Sequence, residues 1–162
     1  MAIQFARIAI EGRSSGGNAC RKGAYNARSK ITDERTNITY NFSNRGDNVF
    51  HQILLPEGVD RKFENITELM NAVEHVERKD NSQLLKDVVI ALPDDKELNL
   101  QDRIEITKRI IEKRGWVKSG LAVQVDIHQP HNGEINWHAH LSFFSIEAKI
   151  SEIVVLPVPF HP

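Results

Sequence analysis

A chain of 162 residues with 40% apolar content is long enough for one domain with a real core and too short for two. Its single cysteine, Cys20, excludes an internal disulfide framework, and no run approaches the ~20 apolar residues that span a bilayer. The formal net charge of -1 gives no overall pull toward a polyanion, yet residues 1–50 hold eight basic and four acidic side chains, a local excess of +4.

The segment IQFARIAI (3–10) alternates as a half-buried strand does, with Ile3, Phe5, Ile8 and Ile10 as its apolar members. RSSGGN follows as a loop. ACRKGAYNARSK, from Ala19 to about Lys30, suits a short helix capped by Asn18, with Gly23 as its weak point. TNITYNFS places Ile38, Tyr40 and Phe42 on one face, and VFHQILLP is a compact apolar run ended by proline, so two more strands are expected. In NITELMNAVEHVERKD, Asn65 or Thr67 caps a helix with Leu69, Ala72, Val73 and Val76 at helical spacing, which leaves Glu74, Glu77 and Asp80 to a solvated face. KDVVIALP (86–93) reads as a buried strand, and NLQDRIEITKRIIEKRG as an amphipathic helix between Asn99 and Gly115. GLAVQVDIH and NWHAHLSFFS complete the set of strands.

This pattern predicts an α+β domain: a mostly antiparallel sheet of about five strands, with helices packed on one face and the other face left for a ligand. The domain is expected over residues 1–145. The remainder, 146–162, ends in VVLPVPFHP, whose three prolines make a poor central strand, and reads as an atypical tail left by truncation or a frameshift. The amino terminus lacks the basic start and apolar stretch of a signal peptide, so a cytoplasmic protein without membrane contact is expected.

Side chains alternate across a strand with period two, so His138 and His140, on either side of Ala139, share a face. A hairpin through QPHNGEIN brings His128 beside them. Three neutral imidazoles from two paired strands form a facial ligand set that leaves metal positions open, as a catalytic site requires and a closed structural site does not. Magnesium or manganese is the expected ion, with zinc, nickel or cobalt as alternatives. Asp126 shares the face of His128 and is a candidate to orient a ligand, His131 falls in the turn, and His51 and His75 have no visible partners.

The segments GGNACRKGAYNARSKITDERTNITYNFS, HQILLPEG, NAVEHVERKDNSQLLKDVVIALP and DIHQPHNGEINWHAHLSFF closely resemble, in order and spacing, the amino-terminal relaxase domain of the MobA/MobL family, which includes TraA-type conjugal transfer proteins. That family lies within the HUH endonucleases. The resemblance implies that Tyr25 is the nucleophile in a metal-assisted transesterification that nicks one strand at an origin of transfer, leaving a 5′-phosphotyrosyl link for plasmid mobilisation or conjugation. His128, His138 and His140 would then hold the ion. Asp87 falls where the family places an acidic residue, to orient a histidine or take the tyrosine's proton, whereas the position two residues on is the apolar Val89. Single-stranded DNA is the implied partner, alongside other relaxosome proteins, and Arg7, Arg13, Arg21, Lys22 and Arg28 are the natural phosphate contacts. Beside the active enzyme stands a second reading: a shortened, inactive remnant that binds metal and single-stranded DNA. A three-histidine hydrolase of small substrates leaves Tyr25 without a role.

Overall fold

The computed structural model describes residues 6–94, 96–131 and 136–145; Ile3 and Phe5 of the first expected strand, the turn at 132–135 and the proline-rich tail lie outside them. The described elements follow in the order β1 (Ala6–Gly12), α1 (Ala19–Ala27), β2 (Lys30–Asp33), β3 (Ile38–Asn41), β4 (Asn48–Leu54), α2 (Ile66–Val76), β5 (Gln83–Leu92), α3 (Leu100–Arg114), β6 (Leu121–His128) and β7 (Trp137–Ser145). Five strands form one sheet in the order β1-β5-β7-β6-β4, every neighbouring pair antiparallel, and β2 with β3 forms a separate hairpin. The α+β class and the five-stranded antiparallel sheet are as the sequence predicts.

The helices do not share one face. Val123, Val125 and Ile127 of β6 and Ala139 and Leu141 of β7 pack with Ile111, Leu100 and Ile104 of α3. The alternate residues, Ala122 of β6 and Phe144 of β7, join a second core with Ala19, Cys20 and Ala24 of α1 and Leu69, Met70 and Val73 of α2. Strand alternation makes these opposite faces, so no face is left bare, and the functional residues lie under α1. The first strand also departs from expectation. Ile8 and Ile10 are 70% and 51% exposed because the core under α3 draws on β4, β5, β6 and β7 and takes no described residue from β1.

Helix α1 opens as predicted, with the Asn18 side chain accepting from the Arg21 N–H at 2.8 Å. It ends early. Arg28 adopts a left-handed conformation (φ 50°, ψ 48°) and donates its N–H to the carbonyls of Ala24 and Tyr25, and the chain then enters β2 (Lys30–Asp33), a strand that the sequence reading does not name. Gly23 is less a weak point than a contact: a Cβ there would lie 2.6 Å from Cγ of Met70, so the glycine lets α1 and α2 approach closely.

Glu74 corrects the reading of α2 as solvated along its acidic side. Its carboxylate is fully buried; Oε1 accepts from the Ala19 N–H at 2.6 Å, and Oε2 accepts from Arg13 at 2.6 Å and Arg35 at 3.1 Å. Negative charge at the start of α1 complements the unpaired N–H groups of its first turn. The helix carrying Tyr25 is therefore anchored at one end to α2.

Candidate metal centre and nucleophile

Pairing of β6 with β7 sets His128 directly opposite His138 and Asp126 opposite His140. The three rings lie 4.7–5.2 Å apart between centroids, and one nitrogen from each falls within 4.8 Å of the others. His128 is fully buried and His140 nearly so, while His138 is half-buried.

The second nitrogen of each ring is occupied, which fixes the tautomer. Nε2 of His128 donates to the carbonyl of Asn26 at 2.6 Å, leaving Nδ1 3.3 Å from Nε2 of His138. Nδ1 of His140 donates to Asp87 at 3.4 Å, and Nδ1 of His138 to the Asn136 carbonyl at 3.3 Å. Imidazoles held this way, with one nitrogen of each gathered within 4.8 Å of the others, offer what a first-row divalent ion needs from its protein ligands. The donor set fits such an ion, and fits manganese, zinc, nickel or cobalt better than magnesium, which prefers oxygen.

Asp87 is fully buried and accepts from Asn26 Nδ2 and Ser142 Oγ, both at 3.0 Å, as well as from His140, with Lys22 Nζ 3.1 Å away. Burial alone would raise its carboxyl, but the bond and charge of His140 and the Lys22 ammonium outweigh it and hold it well below the usual range. Of the two roles open to Asp87, the geometry suits orientation of His140. Val89 lies opposite His140 across the β5 and β7 pairing and contributes no acid.

Burial depresses the His128 imidazole to about 3, with the positive charges of His140, Arg28 and His138 in the same direction and the Asn26 carbonyl opposing. An unfolded chain takes up a proton at this residue near pH 6.5 that the fold excludes. The metal-free protein is therefore expected to keep this contribution in full above pH 6.5 and to lose stability progressively as pH falls toward 3. His128→Gln retains a donor for Asn26 and should flatten the fall in melting temperature between about pH 6.5 and 4. An unchanged slope would assign it to another group.

Tyr25 and the histidines lie on the same side of the sheet. Asn26, next in the chain, bonds to His128, and the Arg28 guanidinium sits 4.4 Å from the Tyr25 ring while its Nη2 comes within 3.4 Å of His128 Nδ1. Phe42 meets the Tyr25 ring edge-on at 5.4 Å. Asp47 grips Arg28 through two bonds of 2.8 and 2.9 Å, and that pairing holds the Asp47 carboxyl down at about 2.

The five basic residues expected on phosphate separate into two groups. Arg13 is committed to Glu74, Lys22 to Asp87 and Arg28 to Asp47, so their charges are spent on buried carboxylates. Arg7 and Arg21 are exposed, with Arg7 in the row of Val89 and His140. His51 has a partner after all: its Nδ1 lies 2.7 Å from Asp126, which also accepts from Asn48 and Gln124. His75 lies against Arg78, and His131 is exposed. Asn26, Asp47 and Ser142 escaped the sequence reading. No helix among the described residues is long and apolar enough to cross a membrane.

Known proteins give this constellation its kin. The chain is 28% identical over 173 residues to the mobilization protein MobL of Acidithiobacillus ferridurans, covering 87% of this chain and 42% of the relative. It is 30% identical over 141 residues to a probable mobilization protein MobA of Bifidobacterium longum, covering 87% and 24% respectively. It thus spans less than half the length of these curated relatives. A solved structure described as the molecular basis of vancomycin resistance transfer in Staphylococcus aureus superposes with a TM-score of 0.78 at 29% identity, covering 91% of this chain and 74% of that one. The sequence model of the MobA/MobL family matches residues 18–145, a span that takes in the three histidines, Asp87 and Tyr25, and the chain belongs to that family.

Proposed function

We propose that this chain is the nicking domain of a conjugative relaxase, acting on single-stranded DNA at an origin of transfer. The observation that carries the reading is the contact between the helix turn after Tyr25 and the histidine cluster: Asn26 bonds to His128, and Arg28 touches both the Tyr25 ring and His128. An ion held by His128, His138 and His140 supplies positive charge to the non-bridging oxygens of a phosphodiester.

The Tyr25 phenolic oxygen then forms a bond to phosphorus as the bond from phosphorus to the 3′-oxygen breaks. The phenolic proton leaves to water, and the released 3′-oxygen takes one back. The product is a 5′-phosphotyrosyl link and a free 3′-hydroxyl, with one phosphoester exchanged for another, so the step is reversible. Asp87 positions His140 and Lys22, and Asp47 positions Arg28. Arg7 and Arg21 serve as phosphate contacts whose effect weakens with salt. Other relaxosome proteins are the expected partners at the origin.

Purified protein with manganese, incubated with single-stranded oligonucleotides spanning a transfer origin, is expected to give a covalent protein–DNA band on a denaturing gel. Chelation should remove the band and added manganese restore it, and His140→Ala should lower its yield by on the order of 10²-fold or more. A band indifferent to both treatments would overturn the assignment of the histidines. No band with any origin sequence would favour the inactive binding domain.

A further inference from the structure

Three cations surround the Tyr25 ring, and two of them are already neutralised. Arg28, 4.4 Å from the ring centroid, is held by Asp47, and Lys22, at 5.7 Å, by Asp87. The third is Arg45, whose guanidinium carbon lies 5.1 Å from the centroid of Tyr25 and 5.9 Å from that of Phe42. Among the described residues no carboxylate pairs with Arg45, and the residue is exposed. The loop that carries it joins β3 to β4 and is pinned on both sides, by the Arg45 N–H donating to the Phe42 carbonyl at 3.1 Å and by Asp47 on Arg28. One short loop therefore sends a carboxylate inward to Arg28 and a cation outward over the tyrosine.

We propose that Arg45 is a catalytic residue that binds the non-bridging oxygens of the phosphodiester attacked by Tyr25. The pairing pattern supports it: of the three side-chain cations at the ring, Arg45 is the one whose charge no carboxylate takes up among the described residues, which leaves it for a phosphodiester oxygen beside whatever charge an ion on the histidines would add. A guanidinium stacked on aromatic faces keeps its edge free, and that edge offers paired N–H donors to a tetrahedral oxyanion. Arg7 and Arg21 have no contact with the tyrosine ring and act on flanking phosphates. Arg45 acts on the one being transferred, keeping its partner before and after the nick because the phosphotyrosyl link retains the same charge. This inference rests on the assignment of Tyr25 as nucleophile, but the anion site itself can be tested without it.

Two measurements separate these claims. In the first, inorganic phosphate is titrated into metal-free protein and the arginine Nε–H signals are followed by NMR. The Arg45 signal is expected to shift saturably, and Arg45→Gln should weaken binding about tenfold, whereas Arg109→Gln on α3 should not. In the second, covalent adduct formation with origin oligonucleotides is timed. Arg45→Gln should slow it on the order of 10²-fold with an unchanged melting temperature, and Arg45→Lys should recover part of the loss. Equal phosphate affinity in Arg45→Gln, or an adduct rate equal to that of the wild type, would overturn the proposal while leaving Tyr25 as nucleophile. Phosphate binding at Arg45 in a protein that forms no adduct would instead retain the anion site and remove the nicking reaction.

Discussion

Tyr25→Phe is expected to abolish the covalent DNA adduct, a loss beyond about 10⁴-fold, while leaving fold and metal affinity close to those of the parent protein. The ring keeps its contacts with Phe42, Arg28 and Arg45, so besides the attacking oxygen the substitution removes only the hydroxyl's own interaction with Arg28, which Asp47 continues to hold. The chain has two tyrosines, which provides an internal control. Tyr40, on β3, packs at the margin of the core beneath α1, and Tyr40→Phe should retain the adduct. Retention of the band in Tyr25→Phe, or its loss in Tyr40→Phe alone, would move the nucleophile elsewhere.

The largest effect on stability is expected from Glu74→Ala. Removing this carboxylate leaves the Ala19 N–H without its acceptor and takes an ion pair from Arg13, which keeps the Glu77 carbonyl, and from the more exposed Arg35, and breaking a buried ion pair from one side costs about 3–5 kcal/mol. For a domain of this size that amounts to roughly 10 °C in melting temperature. Glu105→Ala, at an exposed position of α3, should change stability by less than about 0.5 kcal/mol. If the two variants melt together, the Glu74 network contributes nothing to the fold. Because Glu74 holds the start of α1, its loss should also loosen Tyr25 and Asn26, and adduct formation should fall at temperatures below the melting transition.

The sequence displays the features that depend on local period. His138 and His140 two residues apart, Asn18 and Asn99 before helical runs and Gly115 after one are all legible, because each follows from spacing along a single element. Complementarity between distant segments is not. Glu74 looks solvated because its partners are 61 and 39 residues away, and His51 looks solitary because Asp126 is 75 residues further on. Strand β2 goes unread because its four residues, KITD, are too few to show a period, while one left-handed residue, Arg28, ends the preceding helix slightly before the composition would. Asn26 gives no sign of its importance, since it acts on His128 through a backbone carbonyl that every residue type possesses. Similarly, nothing in a string of basic residues separates an arginine bound to a buried aspartate from one that faces solvent.

Strand β7 alternates between two duties: Trp137, Ala139, Leu141 and Phe143 fill the core under α3, and His138, His140 and Ser142 serve the opposite face. Loss or gain of one codon within this stretch would turn the ribbon over, pressing imidazoles into oil and apolar side chains toward the face that now carries the histidines. Chemistry and folding are thus spelled in interleaved letters, and a lineage could not shift the reading of one without forfeiting the other.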